Sequence, residues 1–167
     1  MDGVIADALG KLIYLYEKEY GQKVDKTRLP GHYLEEILPE AHKGCVREFL
    51  FRKDFFQDLD VIPDSQQVMR ALHERYELFI VTAAMEFPDS LPHKYRWLQE
   101  HFPFLHWKNF VFCGDKSIIQ ADYLIDDEAK NLLTFTGESI MFTTAHNMKD
   151  DRFRRAENWQ EVAQWFL

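Results

Sequence analysis

A chain of 167 residues with 46% hydrophobic, 15% aromatic and 29% charged side chains can bury one sizeable core and still carry a small insertion, which excludes a disordered tail protein. Twenty Lys and Arg against 28 Asp and Glu leave a net charge of −8, so no bulk attraction draws it to a nucleic acid polymer, although a small phosphorylated ligand in a local pocket is allowed. Its apolar runs, such as Leu78 to Val81, fall far short of the ~18 to 20 residues of a membrane span, and no cationic segment precedes an apolar one at the N-terminus.

In chain order, Leu9, Leu12, Ile13, Tyr16 and Tyr20 recur at three- and four-residue spacing between Asp7, a candidate N-cap, and Gly21, which predicts an amphipathic helix. From Val24 to Leu59 the sequence is aromatic and interrupted by Pro30 and Pro39, with short helices expected around Tyr33 to Leu38 and His42 to Phe56 and no strand pattern. Phe49, Phe51, Phe55 and Phe56 read as the core of this stretch. After a connector, Val68, Leu72 and Tyr76 mark a helix expected to be capped by Asp64. Short apolar runs then alternate with helices: Leu78 to Val81, a helix near His93 to Phe102, Phe110 to Cys113, Tyr123 to Ile125, a helix from Glu128 to Phe135, a last strand Ile140 to Thr143, and a terminal helix Glu157 to Phe166. Apolar strands separated by helices predict an α/β fold with a Rossmann-like parallel sheet covered on both faces. The expected division is an α/β core of residues 1–9 and 65–167 interrupted by a helical insertion of residues 10–64.

In such sheets the reacting groups collect at the carboxyl ends of strands. Four polar places qualify: Asp2-Gly3 with Asp7, Thr82 with Ala83 and Ala84, Gly114-Asp115, and Asp126-Asp127. Adjacent carboxylates suit Mg²⁺, which takes one or two carboxylates together with water and phosphate oxygens, and solvated charge is the competing account. Lys94 opens a helix, where its ammonium opposes the dipole unless an anion shares the site. Thr82 and the backbone N–H groups at Ala83 and Ala84 can donate to a phosphate. Gly114-Asp-Lys-Ser117 lacks the rest of a phosphate-loop frame, and no GxGxxG, GxSxG or HExxH occurs. Cys45 and Cys113 have no metal or redox spacing and are expected to be buried thiols in a reducing compartment, hence a cytoplasmic protein.

Taken together, the motifs resemble the haloacid dehalogenase superfamily, and within it the 5′(3′)-deoxyribonucleotidase family. Met1-Asp-Gly-Val-Ile-Ala-Asp7 is similar to the first motif, DxDGVxAD, from its second letter. Phe79-Ile-Val-Thr82 resembles the second motif, Lys94-Tyr-Arg-Trp97 the third and Asp122-Tyr-Leu-Ile-Asp-Asp127 the fourth, and Phe142-Thr-Thr-Ala-His-Asn147 with Glu157-Asn-Trp159 is also similar to that branch. The resemblance covers nearly the whole chain. It implies a Mg²⁺-dependent phosphatase working through an aspartyl-phosphate. Asp2 would be the acid and base with its carbonyl on the metal. Thr82, Ala83 and Lys94 would hold the phosphoryl group, and Asp126 and Asp127 the metal. Residues 10–64 would form a helical cap over a small phosphomonoester, a deoxynucleoside monophosphate. Neither nucleic acid polymer nor membrane is expected as a partner, and among proteins only a second copy of the chain.

The family's nucleophilic Asp would immediately precede Met1, and the apolar strand leading to it would lie in mid-sheet. The expectation is therefore that a short N-terminal segment belongs ahead of these residues. Two alternatives stay open on the residues themselves: a phosphatase of a sugar phosphate or other small phosphometabolite, for which Ala8 is a hint because it is not the aromatic that would help sandwich a base, and an inactive module that binds a phosphate ligand.

Overall fold

The computed structural model describes all 167 residues. Residues 1–6 form a tight turn: the N–H groups of Val4, Ile5 and Ala6 converge on the Met1 carbonyl at 3.2, 2.9 and 3.3 Å, and Gly3 N–H donates to the Ala6 carbonyl at 2.9 Å. Helix α1 (Ala8–Tyr20) follows, its first turn capped by Asp7 Oδ1 accepting the Gly10 N–H at 2.8 Å, and it stops at Gly21 as the pattern required. It buries Leu12, Ile13 and Tyr16.

The stretch that follows is helical and short-paced, with α2 (Leu34–Ile37) and α3 (Cys45–Leu50) separated by 3₁₀ turns and no strand. Both helices are shorter than the spacing suggested: Tyr33 and Leu38 are extended at the two ends of α2, and Gly44 sits at φ 96 before α3, which ends at Phe51. Phe49, Phe55 and Phe56 are buried as expected, but Phe51 is 48% exposed. The chain returns through Leu59 to Val61, where Asp7 N–H bonds the Asp60 carbonyl at 2.8 Å and Ile62 N–H the Ile5 carbonyl at 2.9 Å.

Helix α4 (Ser65–His73) is present, but Asp64 does not cap it. Asp64 takes a left-handed φ of 64 after Pro63, not the extended backbone of a capping residue, and its side chain accepts no N–H of the helix; Ser65 Oγ bonds back to the Ile62 carbonyl at 2.7 Å. Then come β1 (Ile80–Thr82), α5 (Leu91–His101), β2 (Phe110–Phe112), β3 (Tyr123–Asp126), α6 (Ala129–Thr134), β4 (Glu138–Phe142), β5 (Arg154–Ala156) and α7 (Trp159–Phe166). All strand pairs are parallel, as the alternation predicted. β4 is not the last strand. β5, which the sequence reading missed, pairs with it so that Phe142 lies opposite Ala156.

The strands fall into two sheets, β1-β2 and β3-β4-β5. The N-terminal turn lies between their carboxyl ends: Asp2 reaches the Lys94 ammonium beside Thr82 on the β1 side, and Gly3 lies against Asp127 on the β3 side. Two buried tryptophans tie the junctions, Trp159 Nε1 donating to the Val4 carbonyl and Trp97 Nε1 to the Leu59 carbonyl, both at 2.8 Å. One continuous apolar cluster runs from Tyr16 and Phe49 through Phe56 and Leu59 to Trp97, Ile80 and Trp159. Helical stretch and sheets therefore share a core, and this fixes how the one sits over the other. No helix is long and apolar enough to cross a membrane.

Candidate active site

A cleft of about 390 Å³ opens at the carboxyl ends of the strands, between them and the helical stretch, and it takes in Asp2, Thr82, Ala83, Lys94, Asp126 and Asp127. The structure brings Asp2, Gly3, Thr82, Ala83, Lys94, Asp126 and Asp127 together there, whereas Asp7 caps α1, Asp115 caps the turn after β2, and neither they nor Ala84 and Gly114 line the cleft. Open α/β sheets bind their ligands in the crevice outside the carboxyl ends of the strands.

Lys94 is the pivot of one wall. Its position in the first turns of α5 carries the ammonium inward, where it is 2% exposed. It forms an ion pair with the Asp2 carboxylate, lies 3.3 Å from Thr82 Oγ1 and sits 4.3 Å from the centre of the Phe56 ring. Burial alone would raise the Asp2 carboxyl, but the Lys94 ammonium wins and holds it below the usual carboxylate range. A third of the Asp2 side chain still reaches the cleft, while its Oδ1 is buried without a partner.

The opposite wall separates the two adjacent aspartates into different states. Asp126 is consumed by the protein: Oδ2 accepts from Lys116 Nζ at 2.6 Å, and Oδ1 accepts the Glu128 N–H at 2.9 Å and Asn131 Nδ2 at 3.1 Å. Burial opposes its charge, yet Lys116 keeps its carboxyl below the ordinary value. The Asp127 carboxylate has no hydrogen-bond donor, and the positive charges of the Met1 amine and Lys116 offset only part of what opposes its ionisation. Burial first, then the Asp126 and Glu128 carboxylates, push it up to about 7. Gly3, at φ 73, is required here because a Cβ would collide with the Asp127 carboxylate.

This donor set fits a divalent cation. A carboxylate with no donor of its own beside a second carboxylate, together with an orphaned oxygen on Asp2, is a concentration of hard oxygen charge that a dication would neutralise. Asp127, Glu128 and His146 also place one ligand atom each within 4.8 Å of one another.

Sequence reasoning gave no role to five contributors, although two of them, His146 and Asn147, lie in the family-like segment Phe142 to Asn147. Lys116 was set aside with the failed phosphate-loop motif, although a lysine shortly after a strand end can turn back onto the next one. The loop after β4 contributes His146, whose ring meets Thr144 Oγ1 at 3.0 Å and the Asp127 carbonyl at 3.2 Å, and Asn147, whose Nδ2 donates to that carbonyl at 2.9 Å. Arg155 braces the loop from β5 through the Asn147 Oδ1 and carbonyl oxygens, each at 2.9 Å. From the helical stretch, Tyr33 stacks on His146 with ring centres 4.5 Å apart and donates its hydroxyl to Glu128 Oε2 at 3.1 Å. Burial and the Glu128 charge push that phenol up to about 12, so it stays a donor.

A hydroxyl and an ammonium thus share a cleft at the parallel strand ends with a pair of carboxylates, where open α/β sheets place their chemistry, and the chain is an α/β hydrolase of the haloacid dehalogenase class. Over residues 1–167 it matches the family model described as "5' nucleotidase, deoxy (Pyrimidine), cytosolic type C protein". It is similar to a Staphylococcus aureus (strain Mu50) protein named "Putative 5'(3')-deoxyribonucleotidase", 46% identical over 167 residues, which are 100% of this chain and 92% of that one. A Staphylococcus epidermidis protein of the same name is 45% identical over 166 residues, covering 99% and 92% of the two chains. The 5'(3')-deoxyribonucleotidase of Bacillus subtilis (strain 168) is 46% identical over 114 residues, or 68% of this chain and 66% of that one. The chain belongs to this nucleotidase family and is a phosphoric monoester hydrolase.

Proposed function

We propose that the protein is a Mg²⁺-dependent 5′(3′)-deoxyribonucleotidase that transfers the phosphoryl group of a deoxynucleoside monophosphate to an aspartate directly preceding Met1 and then to water. The observation that carries this reading is Lys94, buried between Asp2 and Thr82 on the wall facing Asp127. A buried ammonium beside a hydroxyl is a binding site for phosphoryl oxygens, and its charge grows in value as negative charge develops on them in the transition state. The Ala83 N–H adds a donor next to Thr82. Asp2, a third of which faces the cleft, is the general acid for the leaving nucleoside oxygen and then the base for water; the Lys94 ion pair holds it as the carboxylate, the form that takes a proton from water, and the acid step needs that pair loosened when Lys94 turns to the phosphoryl oxygens. Asp127 and the Asp2 carbonyl would hold Mg²⁺, with Asp126 and Lys116 fixing Asp127 from behind. When bound, the ion supplies charge neutralisation for the phosphoryl oxygens and the attacking carboxylate.

Residues 10–64 act as the cap, with Tyr33, Leu34 and Leu50 against the cleft, and they exclude water from it. The two free, buried cysteines suit work in the reducing cytoplasm.

The test is a chain that carries an apolar strand ending in Asp before Met1, assayed with Mg²⁺ for phosphate release from deoxynucleoside monophosphates and sugar phosphates. Release from the nucleotides, with acid-stable label trapped on that Asp and lost in its Asn variant, is expected. No release from any deoxynucleoside monophosphate would overturn the reading, and faster release from sugar phosphates would move it to that substrate class.

A further inference from the structure

The helical stretch meets the rest of the molecule at places of different character. Near the chain crossings, Asp7 to Asp60 and Ile5 to Ile62, it is joined by covalent chain and by backbone hydrogen bonds. Across the cleft it is held by a small noncovalent contact. There the Gly31 N–H donates to the Ala145 carbonyl at 2.7 Å, the Tyr33 ring lies at 12° to the His146 ring, and the Tyr33 hydroxyl reaches Glu128. Gly31 has a φ of 81, and the Lys149 side chain occupies the space a Cβ would need, so the backbone approaches the loop after β4 as closely as it can.

The surface on which Tyr33 lands is not a neutral one. Glu128 is the next residue after Asp127, and His146 and Asn147 both bond the Asp127 carbonyl. A contact on Glu128 and His146 is therefore also a contact on the segment that aims the Asp127 carboxylate into the cleft. Tyr33 is half exposed, so it seals the rim and is not part of the core.

We propose that Tyr33 is a positioning residue: by clasping Glu128 and His146 it latches the cap over the bound substrate and, through them, holds Asp127 in its working orientation. This inference rests on the nucleotidase reading for its kinetic part and on geometry alone for the latch. Closing the latch on substrate removes water and the freedom of the cap, so loss of the clasp acts on substrate retention more than on the chemical step.

The experiment uses the full-length chain and its Tyr33→Phe and Tyr33→Ala variants. Amide hydrogen exchange at Gly31 and neighbouring amides is followed without substrate, together with KM, kcat and thermal midpoint. In Tyr33→Ala the Gly31 amide is expected to exchange about ten times faster with the thermal midpoint nearly unchanged, and KM to rise about tenfold while kcat falls less than threefold, as loss of one charge-assisted hydrogen bond and a ring contact would give. Tyr33→Phe, which keeps the stack, should recover part of both effects. Unchanged exchange in Tyr33→Ala overturns the latch whatever the kinetics. Faster exchange with KM and kcat both at the parent values overturns its role in the reaction. If the parent chain itself turns over no nucleotide, the nucleotidase reading fails, and the exchange result alone decides whether the latch stands.

Discussion

Two neighbouring aspartates, Asp126 and Asp127, share a strand end and a sequence context, yet the fold gives them opposite electrostatics. Asp126 keeps its charge because Lys116 and two N–H groups stabilise it, whereas Asp127 is left with burial and like charge. Lys116 is itself buried, so Lys116→Met should strand the Asp126 carboxylate and cost about 3 kcal/mol or more of stability by urea unfolding, since breaking a buried pair from one side leaves an uncompensated charge. A loss below ~1 kcal/mol would show that Asp126 is supported by its N–H donors alone. Lys94→Ala removes the buried cation between Asp2 and Thr82 and should lower turnover by about 10²-fold or more, the usual scale for one charge-stabilising donor, while the far-ultraviolet dichroism of the chain stays as in the parent. Near-parent turnover would remove Lys94 from the site.

At the level of elements, legibility followed the strength of the local signal. Helix α1 was readable because period, N-cap and terminal glycine agree, and the strands ending at Thr82 and Asp126 were readable as apolar runs closed by polar residues. β5 was not: Arg154-Arg155-Ala156 has no apolar alternation, and what anchors it is tertiary, Ala156 fully buried opposite Phe142 and Arg155 bonded to the Asn147 oxygens, contacts that no local pattern announces. The site candidates Asp2, Thr82, Lys94, Asp126 and Asp127 were findable because strand ends are where α/β sheets place chemistry, whereas Tyr33 carries no motif and His146, though it sits in the family-like segment Phe142 to Asn147, meets Tyr33 across 113 positions of chain, a contact that no local pattern announces. The helical stretch supplies its own check. Phe49 is 1% exposed and Phe51 is 48% exposed, so Phe49→Ala should cost about 3–5 kcal/mol by denaturant titration and Phe51→Ala less than ~1 kcal/mol. Equal losses would mean that the cluster packs differently from the arrangement described.

On the scale of the whole molecule, two sheets and a helical stretch enclose one acidic cleft, and the charge gathered there sets how stability depends on pH and on divalent metal. Asp127 has a folded carboxyl near 7 against about 4 in an unfolded chain, so its protonated form favours the folded state. The stability linked to this group is complete below about pH 4 and is lost as pH rises toward 7. Asp2 and Asp126, held low, run the other way and lose their contribution only as pH falls below about 4. Between pH 5 and 8 Asp127 alone of these three changes state. A cation that binds its ionised form must displace a proton at the lower end of that range and not at the upper. At about pH 8, Mg²⁺ at a hundred times its dissociation constant should stabilise the protein by about 2.7 kcal/mol, a rise of roughly 5 to 10 °C in thermal midpoint for a chain of this size. At about pH 5.5 the same Mg²⁺ concentration faces an affinity weakened more than tenfold, and the rise should shrink to about a third. Asp127→Asn should abolish the rise at both pH values and, without Mg²⁺, should make the protein more stable than the parent at pH 8, because it removes a buried charge that nothing in the protein pairs. Equal midpoint shifts at the two pH values in the parent would place the metal on other oxygens and return Asp127 to a role in holding the loop after β4.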